Sequence, residues 1–289
     1  MNSKTRNNNE SSPKNQQRRD LLLAAGGGML AATLGQAVFA SGHQAPDSGV
    51  KTLRWGFVGT GGIANSMART IEAADHAEIV AVSSRKMETA KAFAGKYKVP
   101  NAFDSWAQMC ESDTVDAIYV ATPTSVREEI CIKAAESGKH VLGEKPFTNL
   151  PSVKRITDAC RKNGVVFMDG THFVHHPRTA HIKAVTQEQI GWPWSIASAF
   201  QFGLKDKSNI RYNTRLEPYG AIGDAGWYNM KAAVEFSNPG IEIETVEAFL
   251  RRDPETGAAI SGSGVIVFND GSTTTFNCGF DSGAGIMDL

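Results

Sequence analysis

The chain of 289 residues carries 30 basic and 30 acidic side chains and is 41% hydrophobic, enough for a sizeable core and roughly two domains. Zero net charge gives no reason to expect nucleic acid or an anionic membrane as partner. The four cysteines, Cys110, Cys131, Cys160 and Cys278, are widely separated with no C-x-x-C, and read as buried structural thiols rather than a disulfide framework or metal site.

Residues 1–17 are polar and rich in Asn, Ser and Lys, a composition that favours disorder. Arg18-Arg19 then precede an apolar, Gly/Ala-rich run that ends at Val38-Phe39-Ala40. A basic region, a short apolar stretch and small residues at a cleavage point make residues 1–40 a signal peptide. The paired arginines point to twin-arginine export, with a periplasmic mature protein that has no stable membrane association after cleavage. The alternative is an uncleaved anchor, which Gly26 to Gly28 disfavour by lowering the hydrophobicity of a short run. Residues 41–52 read as a linker.

Leu53 to Val58 is a short run of strand formers, followed at once by Gly59-Thr60-Gly61-Gly62-Ile63-Ala64. Ile63, Met67 and Ile71 then recur at helical spacing. Strand, glycine turn and helix in this order suit a diphosphate. Gly59 permits the tight turn, Gly61 lets backbone approach the pyrophosphate, and Ala64 lets helix and strand pack closely. The amides at the helix start supply the attraction for negative charge. Gly59, Thr60, Gly61, Gly62 and Ile63 are therefore candidate cofactor contacts.

The second strand, Glu78 to Val82, ends in Ser83-Ser84-Arg85-Lys86. An acid at this point would take the ribose hydroxyls of NAD; Ser84 and Arg85 instead suit a 2′-phosphate, so NADP is expected over NAD. Alternatively, Arg85 and Lys86 simply begin a solvated helix, Met87 to Tyr97. A third strand is expected at Val115 to Val120, with Thr122 and Pro123 just after it. A helix at Glu128 to Ser137, a strand at Lys139 to Leu142, a helix at Ser152 to Lys162 and a strand at Val165 to Met168 complete the pattern. Strands alternating with helices predict an α/β fold with a doubly wound parallel sheet over 53–170.

Beyond it lie strand-like segments at Ser195 to Phe202, Ile241 to Leu250, Gly264 to Phe268 and Thr273 to Cys278. Asn269 to Ser272 forms a turn between the last two. They predict an open, mainly antiparallel sheet in an α+β domain over 171–289. Asp224 and Tyr228 lie four apart at the start of a helix running to about Phe236 and so share one face. Asp224 alternatively caps that helix, and Tyr228 alternatively belongs to the core. His172, His175 and His176 invite a metal reading, but Pro177 closes the segment and no acid stands at ligand spacing, so no metal is expected. A connection lining a substrate pocket fits better, with Phe173, His176 and Arg178 as candidate contacts. Lys145 follows a parallel strand at its carboxyl end, where open α/β sheets bind ligands. It alternatively is a surface lysine ahead of a turn-forming proline.

Taken together, G-x-G-x-x-A after the first strand, A-T-P-T-S at 121–125, G-K-H-V-L-G-E-K-P at 138–146, M-D-G-T at 168–171 and G-D-A-G-W-Y at 223–228 resemble the Gfo/Idh/MocA oxidoreductases. The wording is closest to a branch near the dimeric dihydrodiol and D-xylose dehydrogenases. The likeness runs from Leu53 to the C-terminus. Arg127 and Gly143 depart from it, where His and Cys are frequent. The resemblance implies an NADP-dependent enzyme that moves a hydride between nicotinamide and a carbinol or carbonyl of a sugar or vicinal diol. In it Lys145 would contact substrate hydroxyl and nicotinamide ribose, Asp224 would orient the hydroxyl and Tyr228 would accept or relay its proton. Glu144 would join the cofactor contacts, and the Lys145–Pro146 bond would be cis. Such proteins often dimerise through the outer face of the second sheet, and they usually continue through further strands and a helix. A chain stopping at Leu289 is therefore expected to expose a sheet edge prone to association. Two other functions stay open: a redox-assisted glycosidase, and a non-catalytic cofactor-binding protein.

Overall fold

The computed structural model describes residues 49–288, so the expected signal peptide and most of the linker lie outside the described residues. From Lys51 on the chain forms one compact unit. Its first strand, β1 (Leu53–Val58), has the expected bounds and becomes fully buried over Gly56 to Val58. The helix after it, α1 (Gly62–Glu72), turns a different stripe inward from the one its large residues suggest. Ala64, Ala68 and Ile71 are buried, whereas Ile63 is 47% exposed. Small side chains let the helix lie close on the sheet, which leaves no room there for Ile63.

β2 (Ala77–Ser83) and α2 (Met87–Tyr97) also match expectation. Two short elements were not expected, β3 (Asn101–Phe103) and α3 (Trp106–Cys110). Three and five residues are too few to show a period, and α3 is marked only by its Ser105 cap. The strand expected third is the fourth, β4 (Ala117–Val120), with all four residues buried. α4 (Thr124–Glu136) starts four residues before the expected Glu128. Then follow β5 (His140–Gly143), α5 (Leu150–Lys162), capped by Asn149 Oδ1 on the Ser152 amide at 2.8 Å, and β6 (Phe167–Asp169).

These six strands form one parallel sheet in the order β3-β2-β1-β4-β5-β6. Alternate residues feed two apolar clusters, one around Val58, Ile118, Val120 and Ile156, the other around Phe57, Val82, Phe93 and Tyr119. The strand order reverses between β1 and β4, so the crevice beyond their carboxyl ends is where such a sheet takes a ligand.

After a 3-10 turn at His172–His175 come α6 (Pro177–Gln189) and β7 (Ser195–Gly203). A second 3-10 turn, Ile210–Tyr212, leads to two helices, α7 (Gly220–Asp224) and α8 (Gly226–Phe236), instead of one. The break at Ala225 corrects the single helix expected from Asp224. The glycines on either side of it are closely packed: a Cβ on Gly223 would stand 2.8 Å from Tyr219 Cβ, and one on Gly226 would stand 3.1 Å from Cys278 Sγ. Asp224 thus ends a helix rather than capping one.

β8 (Ile243–Arg252), β9 (Ala259–Phe268), β10 (Thr273–Gly279) and β11 (Asp281–Asp288) complete a sheet of order β11-β7-β10-β9-β8. Only the β7–β10 pair is parallel, which agrees with the mainly antiparallel sheet expected. β11 went unread because Gly283 and Gly285 dilute its strand signal. α8 lays Ala233 over Ile266, Phe268, Phe276 and Cys278 on one face of the sheet. All four cysteines are free and buried; burial pushes Cys110 and Cys278 up to about 11 and Cys131 up to about 12, which suits inert thiols.

Candidate active site

The glycine turn after β1 is shaped from inside the protein on one side only. Gly59 has φ +104°, and a Cβ there would meet the Ala121 carbonyl oxygen, at the end of β4, at 2.6 Å. At Gly61 and Gly62 an added Cβ would meet nothing within 4 Å. The open side is the start of α1, which has no side-chain cap and no acid in its first turn. Asn65 fixes the turn from the helix, donating from Nδ2 to the carbonyls of Thr60 (3.0 Å) and Gly61 (2.9 Å). Its Oδ1 in turn accepts from Lys96 Nζ at 2.7 Å and from the Tyr97 hydroxyl at 2.9 Å. Across the crevice the Thr122 hydroxyl is buried with no partner among the described residues. Open backbone, unneutralised helix amides and an orphaned hydroxyl fit a dinucleotide.

Beside this crevice Lys145 leaves the end of β5, joined to Pro146 by a cis bond. Its side chain is only 10% exposed, so it is not the surface lysine of the alternative reading. The ammonium donates to Asp224 Oδ1 at 2.7 Å and to the Asp224 carbonyl at 2.8 Å. It also lies 5.0 Å from the centre of the Tyr228 ring, within cation–π reach. Tyr228 is held by aromatic rings, with His172 at 5.7 Å, Phe173 at 6.2 Å and Phe200 at 5.2 Å. The structure therefore brings Lys145, Asp224 and Tyr228 together; Asp224 and Tyr228 flank the Ala225 junction, whose backbone stays helical, and both meet Lys145.

Asp224 has a second cation, Arg211 from the 3-10 turn, with Nε 2.5 Å from Oδ2 and Nη2 3.2 Å from Oδ1. Burial pushes the Asp224 carboxyl up, but Lys145 and Arg211 outweigh it and hold the group below the usual carboxylate range. Burial, reinforced by Glu144 and Asp224, pushes the Tyr228 phenol up, which favours its protonated form. Glu144 is itself buried; it accepts the Tyr119 hydroxyl at 2.6 Å and packs under Gly170, where a Cβ would come within 3.1 Å of its carboxyl.

Residues 53–171 match the family model described as the oxidoreductase family with an NAD-binding Rossmann fold, GFO_IDH_MocA. The chain is 31% identical over 232 residues to the dTDP-3,4-didehydro-2,6-dideoxy-alpha-D-glucose 3-reductase of Actinomadura kijaniata, covering 79% of this chain and 69% of the reductase. The chain belongs to the Gfo/Idh/MocA oxidoreductase family. Another relative in it is the NADP(+)-dependent D-xylose 1-dehydrogenase 2 of Haloferax volcanii, 28% identical over 235 residues, with 80% of this chain and 70% of the relative covered. The structure of a 3-ketoreductase from Actinomadura kijaniata with NADP and TDP-benzene superposes with a TM-score of 0.75 at 28% identity, over 80% of this chain and 71% of that one.

Within this Gfo/Idh/MocA chain the remaining expected contacts are scattered. Ser84 is half-buried and Arg85 exposed at the end of β2, on the same sheet edge as the glycine turn. Phe173 reaches the Tyr228 ring, but His176 is occupied locally: its Nδ1 accepts the Arg178 amide at 3.1 Å and caps α6. His176 and Arg178 both stay exposed. Among the described residues no three His, Cys, Asp or Glu side chains gather as metal ligands would.

The two departures from the family pattern acquire physical reasons. Gly143 sits in a tight place, where Phe147 Cζ and Cys131 Sγ would lie 3.2 and 3.4 Å from an added Cβ and would have to give way slightly. Arg127 is 3% exposed and donates to the carbonyls of Pro146 and Thr122. Asn65, Arg127 and Arg211 are missed by sequence reasoning. Each acts through a partner distant in sequence or through backbone carbonyls, and only the N-I-R-Y turn ahead of the G-D-A-G-W-Y segment hints at Arg211.

Proposed function

We propose that the chain is an NADP-dependent oxidoreductase that moves a hydride between the nicotinamide and a carbinol or carbonyl of a sugar or vicinal diol. The observation that carries this is the Lys145–Asp224 ion pair beneath Tyr228, at the mouth of the crevice beyond β1 and β4. The glycine turn 59–62, the start of α1, Thr122, Pro123 and Glu144 would hold the dinucleotide, and Ser84 with Arg85 its 2′-phosphate. When bound, the cofactor supplies the hydride acceptor or donor. Tyr228, favoured in its protonated form, has a proton to give to a carbonyl oxygen on reduction and regains one from solvent; on oxidation it must first release its proton before it can accept that of the carbinol. Lys145 polarises that oxygen with the donor left free by Asp224, and Asp224 holds Lys145 at its post. Phe173, with His176 and Arg178 nearer the solvent, would line the substrate side. A sugar substrate is favoured by the relatives, which are a reductase and a dehydrogenase of sugars.

The finer readings rest on sequence. The placement near the xylose and dihydrodiol dehydrogenases follows the G-D-A-G-W-Y wording, and the division at 170 follows the change from alternating strands and helices to a second sheet. A homodimer through the outer face of the second sheet and a periplasmic protein exported by the twin-arginine route complete the proposal. The test is mass spectrometry of the purified protein for bound dinucleotide, followed by NADPH oxidation against a panel of keto-sugars and NADP reduction against aldoses and diols. NADP-linked turnover of a sugar is expected; release of an aglycone with no net change in NADPH would replace the proposal with the glycosidase.

A further inference from the structure

The first turn of α4 is fastened from two directions. On one side the Thr124 amide donates to Glu217 Oε1 at 3.1 Å and the Thr124 hydroxyl to Oε2 at 2.6 Å. The next amide, Ser125, donates to the Leu216 carbonyl at 3.2 Å. On the other side Arg127, one turn along, grips the carbonyls of Pro146 and Thr122. The Tyr219 hydroxyl adds a bond to the Thr148 carbonyl. Thus the segment that carries Lys145 and the segment that leads to Asp224 are both tied to one helical turn.

Helix starts are ordinarily capped by the residue just before them, but here that residue is Pro123, which supplies no side-chain cap. The cap comes instead from 93 residues away in sequence. A carboxylate on two donors at a helix start is a charge-assisted bond in a favourable dipole, with Thr124 only 1% exposed and Glu217 half-buried. A cap drawn from so far fixes a distance between segments as well as a helix end.

We propose that Glu217 is a positioning residue: by tying the 216–224 segment to the α4 turn that Arg127 binds to Pro146, it sets the reach of Asp224 to Lys145. The inference rests on the reading of Lys145 and Asp224 as groups of the reaction. It goes beyond that reading in assigning their spacing to a residue that touches neither.

The experiment compares Glu217→Gln, which keeps one acceptor for Thr124, with Glu217→Ala, each in the wild-type and the Lys145→Met background. Three quantities are read: the rate of reductive methylation of Lys145 with formaldehyde and cyanoborohydride in the wild-type background, by peptide mass spectrometry; NADPH affinity, by fluorescence titration; and turnover of the sugar that the NADPH screen selects. Lys145 should methylate faster in Glu217→Ala, with Glu217→Gln in between and NADPH affinity held. Turnover should fall about ten- to a hundredfold, as for a displacement of about 1 Å, in the wild-type background only. Unchanged methylation in both variants would overturn the proposal. So would an equal loss of turnover in both backgrounds, which would make Glu217 a general stabiliser. Faster methylation with full turnover would support the tie and overturn the reading of Lys145.

Discussion

At the scale of residues, the ion pair and the phenol share one task. Lys145→Met and Tyr228→Phe should each lower turnover by about 10²–10⁴-fold while the cofactor stays bound, measured by steady-state rates beside NADPH titration. The double variant should lose far less than the product of the two, because groups acting as a unit are not additive. Asp224 adds a pH signature. Its folded carboxyl titrates below the ordinary range, so the ionised form persists above that and is lost only as pH falls through the lowered value. Arg211→Met removes one of the two groups that lower it and leaves burial opposed by Lys145 alone. The acid limb of the kcat profile should therefore move to higher pH, and an unmoved limb would remove Arg211 from the electrostatics. Arg85 is the cofactor test. Arg85→Ala should weaken NADP relative to NAD about ten- to a hundredfold, the worth of a charge-assisted phosphate contact, as read from the two dissociation constants. Equal weakening of both would assign Arg85 to the solvated start of α2.

At the scale of elements, the short helix α7 is seated against the Lys145–Pro146 corner through Gly223. A Cβ there would stand 3.0 Å from Pro146 Cγ and 2.8 Å from Tyr219 Cβ. Gly223→Ala should therefore overpack the contact and destabilise by about 1–3 kcal/mol, visible as a lower Tm, with turnover falling as Asp224 is pushed off Lys145. This junction also shows what a sequence can and cannot reveal. β1 and α2 were legible residue for residue because strand formers and a helical period announce them locally. The parallel sheet followed from their alternation with further elements. The break between α7 and α8 was invisible, because it spans the single residue Ala225, whose own backbone is helical, and the packing of Gly223 on Pro146 and of Gly226 on Cys278 involves residues far away in the chain. The early start of α4 was hidden for the same reason, its cap being Glu217. The motif residues Lys145, Asp224 and Tyr228 could be named from a resemblance, yet the geometry joining them could not. Arg211 and Arg127, which complete it, have partners fixed only by the fold.

At the scale of the whole molecule, two sheets contribute to one site. Lys145 follows a strand of the parallel sheet, and Asp224 and Tyr228 stand on helices packed against the mainly antiparallel one. No helix among the described residues is long and apolar enough to cross a membrane. The expected export signal lies in the residues ahead of the fold. Replacing Arg18 and Arg19 with Lys should leave unprocessed protein in the cytoplasm, whereas the unaltered chain should be cut near Ala40. Cell fractionation with N-terminal sequencing decides it, and export of the Lys-Lys form at the normal rate would replace the twin-arginine route with the general secretory one.

The grip of Asp224 on Lys145 also has a stereochemical meaning. An ammonium has three N–H bonds, and two of them end on one residue, at the carboxylate and the backbone carbonyl of Asp224. The third then has a single direction in space, fixed by the tetrahedral nitrogen. A substrate oxygen that this lysine polarises has to lie along it, which narrows where a carbinol or carbonyl can sit. The side of its carbon that faces the crevice is then left to the other groups that touch the substrate. The lysine supplies one fixed point of a stereochemical choice that needs at least two more.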